Sequence, residues 1–210
     1  MWRHGRIIST LLILVSTNAL SASAAPEKGT AAVGKLVGAF SSWSGKEDSP
    51  FICNKASNFI DYTQMSERAL GNSEWEKLGA AERNQFVAAL RSLIEQRYYP
   101  RWHHIFSKAT VDYVGELPSG SDILVKTSVK LGKKVDTVVW RLNGRGSDYK
   151  VISLAMGDRD LLNRLKARLQ PKLEKSGFQG LLTWMQSKAK QQSTENEVSS
   201  TETVIGDASK

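Results

Sequence analysis

Apolar residues recur at two different periods along the chain, and the changes of period mark out its elements. From Glu82 the spacing is helical: Phe86, Leu90, Leu93, Ile94 and Tyr98 return at intervals of three and four, while Arg83, Arg91, Glu95 and Arg97 mostly take the other side. Pro100 lacks an N–H and crowds the preceding turn, so it is expected to end or kink this helix. After Thr110 the period falls to two. Ile123, Val125, Thr127, Val129 and Leu131 alternate with Asp122, Lys126, Ser128 and Lys130, Leu124 being the exception, which predicts a strand with one buried face. Gly132-Lys133-Lys134 turns the chain, and Val138, Trp140 and Leu142 share a face of the next strand. A second glycine-rich turn spans 143–148, Tyr149 to Leu154 makes a third strand, and Val111 to Leu117 an earlier one. Four short strands joined by tight turns predict an antiparallel meander.

Helical spacing brackets this sheet. Upstream lie a short apolar helix at Val33 to Phe40 and a helical stretch at 51–70, with Asp61 as cap for the turn carrying Met65 and Leu70. Gly71 and Asn72 break that pattern, and Trp75 and Leu78 begin a further turn. Downstream, from about Asp160, Leu161, Leu162, Leu165, Leu169 and Leu173 form one stripe that continues past Pro171. Gly177 and Gly180 bracket Phe178, and Leu181, Leu182 and Met185 close the pattern. Helices, then sheet, then helices predict an α+β domain whose helices pack on an antiparallel four-stranded sheet.

The first residues do not belong to that domain. A basic start with Arg3 and Arg6, an apolar run at Ile7 to Val15 and the small residues Ala22-Ser23-Ala24 have the layout of an export signal, with cleavage expected after Ala24. Its apolar run is shorter than the ~20 residues a spanning helix needs. Segment 1–24 is thus read as signal peptide, 25–50 as a partly flexible Gly/Ser-rich segment, 51–190 as the folded domain and 191–210, polar and without a sustained apolar period, as a disordered tail. Setting the leader and the acidic tail aside raises the net charge from +8 to about +9. In an exported chain such a body suits anionic lipid headgroups or an acidic partner better than nucleic acid. Charge serving solubility alone is the competing account. The lone Cys53 cannot form an internal disulfide, so an ordinary hydrophobic core must hold the fold.

Patterns for chemistry are sparse. His103 and His104 are adjacent, so on a helix they diverge by about 100° and make a poor metal pair. Asp158 and Asp160 flank Arg159 just before a helix and read as a first-turn charge cluster rather than a paired acid/base. Neither a nucleophile elbow nor a phosphate loop is present, and the Trp residues are scattered. No catalytic residue, metal or cofactor is assigned.

The segment from Asn58 to Trp102 nevertheless carries a pattern: Tyr62, then Ala69-Leu70-Gly71, Trp75, Glu82-Arg83, Phe86 and Tyr98. Val139-Trp140-Arg141 followed by Tyr149-Lys150-Val151-Ile152, and later Gly177-Phe178-Gln179-Gly180-Leu181, extend it. Over roughly residues 55 to 188 this resembles the MlaC-like periplasmic phospholipid-binding family, also called toluene-tolerance auxiliary proteins. The chain departs from that family at Lys150, where an Asp is usual, and in the stretch that follows it, 153–160.

The resemblance implies a periplasmic carrier, not an enzyme. It would hold phospholipid as cargo in an apolar pocket between sheet and helices. It would shuttle the lipid between an outer-membrane lipoprotein complex and an inner-membrane ABC transporter complex bearing a mammalian-cell-entry domain protein, as the auxiliary component of a system for outer-membrane lipid asymmetry. Candidate pocket residues are Phe86, Leu90, Ile94 and Tyr98 on the helix and Ile123, Val125, Val138, Trp140 and Leu142 on the strands, although core and pocket wall draw on the same residue types. Lys130, Lys133 and Lys134, clustered at one hairpin turn, are candidates for docking to a partner or a membrane. Two other readings stay open: a small-molecule enzyme of cone-shaped α+β fold, and a cell-envelope adaptor that binds protein only.

Overall fold

The computed structural model describes residues 28–43, 54–144 and 148–206, with side chains as far as Gln191. The expected signal peptide and Cys53 lie outside the described residues. Helix α1 (Lys28–Ser41) turns Val33, Leu36, Val37 and Phe40 inward at helical spacing. A helical turn at 54–57 leads to Ile60, which forms a parallel bridge to Val151. Helix α2 (Tyr62–Leu70) starts where the sequence places its cap, the Asp61 carboxylate accepting from Gln64 N at 2.9 Å. It stops at Gly71, whose φ of 92° few other residues adopt. A short α3 (Asn72–Lys77) follows, and then α4 (Ala80–Phe106), whose Glu82 reaches back to accept from Gly79 N at 2.9 Å.

Helix α4 does not end at Pro100 but continues to Phe106. An interior proline costs about 3 kcal/mol. The turns beyond it carry Trp102 and Phe106, which with Tyr99 surround the fully buried Phe40 of α1 at ring-centroid distances of 4.9–6.3 Å. Each buried aromatic pair adds roughly 0.5–1.5 kcal/mol beyond its burial. The aromatic cluster therefore offsets the proline, a tertiary effect that local spacing does not carry.

The sheet is an antiparallel meander of five strands rather than four: β1 (Thr110–Ser119), β2 (Asp122–Leu131), β3 (Lys134–Asn143), β4 (Lys150–Met156) and β5 (Arg159–Asp160), in that order. The additional strand is two residues long, made when the chain reverses at Gly157 (φ 61°), and two residues have no periodicity to read. Its Asp160 then caps the final helix α5, accepting from Asn163 N at 2.9 Å, consistent with a first-turn role. Helix α5 (Leu161–Gly206) is interrupted at Gly177, where φ 64° and ψ −177° are non-helical. Its backbone is helical to Gly206, across most of the stretch assigned above to a tail. Among the described side chains its last core residue is Ala189.

One core joins these layers. Val125, Val129, Val138, Trp140, Leu142 and Val151 face inward from the sheet. Above them lie α1, α2, α4 and α5, giving the predicted α+β arrangement of helices on one sheet face. The one indole in the sheet is satisfied: Trp140 Nε1 donates to Thr127 Oγ1 at 3.0 Å, and that hydroxyl donates to Val138 O at 3.2 Å. At one end Asp122 takes a two-pronged ion pair from Arg68 of α2 (2.6 and 2.7 Å) and a third contact from Arg141 (3.2 Å), fastening α2 to the sheet.

Candidate functional site

The strongest candidate is the apolar seam between the sheet's inner face and helices α1 and α4. Strand alternation sends Val125, Val138, Trp140 and Leu142 to this face, where Phe106 of α4 lies 5.6 Å from the Trp140 ring; Phe86, Leu90 and Ile94 of α4 belong to the same buried cluster, Phe86 packing on Trp75 and Phe178 at 6.4 and 6.3 Å, and all seven are fully buried. Ile123 is half-buried against it. Tyr98 is placed elsewhere. It stands half-buried in a cleft between α4 and α5, its ring 5.8 Å from that of Trp102.

The sequence pattern did not single out α1 as part of this site, yet its first turn closes the seam at the β1–β2 end. Gly29 lies so near the sheet that a Cβ there would stand 3.1 Å from both Ile123 and Val125 and 2.6 Å from the Glu116 carboxylate. That carboxylate, on β1, accepts from Thr30 N at 2.8 Å. It thus caps the helix from across the fold and places a negative charge at the positive end of the helix dipole. The contact spans 86 positions, and a Glu in a strand read only as polar gives no hint of it.

The polar groups around the seam are engaged with one another. Ser57 Oγ donates to Glu95 at 2.6 Å and lies 2.9 Å from the Tyr99 hydroxyl, which is 2.8 Å from that of Tyr62; Arg91 bonds the same Glu95 oxygen at 2.7 Å. Burial, reinforced by Tyr99, pushes the Tyr62 hydroxyl far above the ordinary tyrosine range, so it stays a neutral hydrogen-bonding group. The Asp122 carboxyl is held below its ordinary value chiefly by the Arg68 hydrogen bond. His103 Nδ1 donates to Phe40 O at 2.8 Å, tying α4 to α1. Among the described residues no three His, Cys, Asp or Glu side chains converge as a metal site. What this arrangement can do is exclude water and hold apolar matter.

Among the described residues, clefts open at the surface on either side of α5. One of about 350 Å³ lies between α4 and α5, with Leu93, Leu165 and Leu169 at its base and Arg97, Arg168 and Lys188 among its walls. The other, of about 480 Å³, adjoins Leu70, Glu74, Gln170 and Phe178. Of its arginines, the sequence pattern placed only Arg97, on the polar side of its helix, and did not single out Arg168; the signal lay in the pairing of two helices, which one sequence does not reveal. Lys130, Lys133 and Lys134 all stand exposed at the β2–β3 turn, and Lys134 is drawn into an ion pair with Asp136 at 2.8 Å.

A phospholipid-binding protein from Ralstonia solanacearum, solved in complex with a phospholipid, superposes with a TM-score of 0.66 at 15% sequence identity, covering 77% of this chain and 94% of that one. At that identity the likeness establishes the fold. No curated protein sequence matches the chain. The sequence profile of the family described as MlaC protein matches residues 50–187, about two thirds of the chain, from before α2 into α5, and the chain belongs to that family.

Proposed function

We propose that this protein is a periplasmic carrier of phospholipid, exported by its N-terminal signal and cleaved after Ala24. It passes lipid between an inner-membrane ABC transporter complex bearing a mammalian-cell-entry domain protein and an outer-membrane lipoprotein complex, as their auxiliary binding component in maintaining outer-membrane lipid asymmetry. The observation that carries this reading is the seam: the apolar faces of the sheet and of α1 meet there in one buried cluster, and the Glu116 carboxylate and the Trp140 indole beside it are already hydrogen-bonded. Membership of the MlaC family and the fold shared with a phospholipid-bound protein support it.

The energetics favour such a device. A two-chain phospholipid exposes about thirty methylenes at about 0.8 kcal/mol each, so crossing water unassisted costs on the order of 20 kcal/mol. The seam is closed by the side chains of α1 and the sheet, so loading requires those two to part, and Phe86, Leu90, Ile94, Ile123, Val125, Val138, Trp140 and Leu142 become the pocket wall when they do. Lys130 and Lys133 are left to face the partner complexes. No helix among the described residues is long and apolar enough to cross a membrane.

Mass spectrometry of an organic extract of the purified mature protein tests the reading. Phospholipid near one molecule per chain is expected, and delipidated protein should bind a fluorescent fatty acid. Empty extracts together with no fatty-acid binding overturn it and leave the catalytic and adaptor readings.

A further inference from the structure

The cleft between α4 and α5 combines three kinds of chemistry that the seam does not. Its walls bring Arg97 of α4 together with Arg168 and Lys188 of α5, and among the described residues no carboxylate lines it. Arg97 and Arg168 are exposed, and among the described residues neither forms an ion pair; Lys188 donates only to the neutral Gln191, at 2.9 Å. The base is apolar, made by the buried Leu93, Leu165 and Leu169. Tyr98 and Trp184, both half-buried, complete the rim. The other cleft has the opposite balance, with Glu74 and Glu174 against Lys77, which is already paired with Glu74 at 2.7 Å.

We propose that the α4–α5 cleft is a bilayer-docking site that seats the phosphate headgroup of an anionic membrane lipid. Guanidinium groups match phosphate oxygens with paired N–H donors. Trp and Tyr rings prefer the headgroup layer, where one end is wet and the other apolar. A free phosphate would use the cations and leave the leucines and rings idle, whereas a lipid at a surface uses all of them. Neither strands nor α1 contribute to the lining, so the site is distinct from the seam, and it rests on the carrier reading only for its purpose.

Co-sedimentation of the full mature protein with phosphatidylcholine vesicles, with and without phosphatidylglycerol, tests this. Binding to the anionic vesicles alone is expected. Each basic side chain at such a surface contributes about fivefold to partitioning, so Arg97→Gln with Arg168→Gln should weaken it by about 30-fold, and Lys188→Gln alone by about fivefold. Lys77→Gln, in the other cleft and already paired with Glu74, should leave it within about twofold of wild type. Brominated lipid should quench part of the tryptophan emission of wild type, and Trp184→Phe should lose that part. Equal partitioning of wild type and the double arginine variant overturns the proposal, as does indifference of wild type to anionic vesicles. Displacement by inorganic phosphate, beyond the effect of sodium chloride at matched ionic strength, overturns it in favour of a free-anion site. Extracted phospholipid is measured on the same preparations, so an empty carrier is told apart from one that is loaded but does not dock.

Discussion

Replacing Glu116 by Ala tests the closure of the seam. In the structure this carboxylate supplies the cap of α1 from a different element, at 2.8 Å from Thr30 N, with the Thr30 hydroxyl 3.4 Å away. Loss of a side-chain cap costs about 1 kcal/mol, and loss of a negative charge at a helix N-terminus a further 0.3–1 kcal/mol. A total of about 1.5 kcal/mol lowers Tm by roughly 3–6 °C in a domain of this size. If α1 must leave the sheet before lipid enters, the same energy is removed from the opening step, and the loading rate rises about tenfold. Glu116→Gln keeps an acceptor without the charge and should fall between wild type and Ala in both measurements. Thermal unfolding by circular dichroism gives the first quantity. Stopped-flow uptake of a fluorescent fatty acid by delipidated protein gives the second. A lower Tm with an unchanged uptake rate would refute the reasoning, because α1 would then be a fixed part of the core rather than its moving wall.

Val125→Trp puts a large ring into the seam opposite Gly29; overpacking should cost about 1–3 kcal/mol, and bound phospholipid should fall by a larger factor than the Tm loss accounts for. Stability lost with lipid occupancy intact would assign Val125 to ordinary core. Asp122→Asn should destabilise by about 2–3 kcal/mol at pH 7, less than for a fully buried pair because Arg68 and Arg141 reach solvent. The Asp122 carboxyl is depressed below its ordinary 3.8, so its contribution is complete above about pH 4 and disappears as pH falls through the lower folded value. Denaturant titrations of wild type and variant at neutral and acid pH should therefore converge at the acid end, and a constant gap would contradict the assignment.

The sequence revealed most where one side of an element meets solvent. β2 alternates from Val125 to Val129 and β3 from Val138 to Leu142 because only their inner face is covered there, and the structure brings Val125, Val138, Trp140 and Leu142 to one face as expected. α2 was legible from both ends, through Asp61 and Gly71. Failures came where distant residues set the outcome. Pro100 signals a break, and only the packing of Trp102 and Phe106 on Phe40 explains why the helix survives it. Tyr98 continues the stripe of Phe86, Leu90 and Ile94 in spacing, but each step of four residues turns about 40° further around the helix, so Tyr98 lies roughly 120° from Phe86 and stands half-buried in the α4–α5 cleft.

The same reasoning explains why a pocket wall is hard to read in a chain of this kind. A wall that opens for cargo must be apolar to receive acyl chains, and it must pack when closed or the protein would expose that surface to water. Both demands select the same residues at the same spacing, so Leu90 carries no mark of its role. What can distinguish a wall from a core is the contact that releases it. Ordinary core helices are capped by their own neighbours in sequence, as Asp61 caps α2 and Asp160 caps α5. Helix α1 takes its cap from the strand it covers, so cap and closure are one contact. Parting α1 from the sheet must break that hydrogen bond and separate Gly29 from Ile123 and Val125 in one motion. The place to look for function in such a fold is therefore a polar contact at the edge of the apolar seam, where a single carboxylate couples helix stability to access.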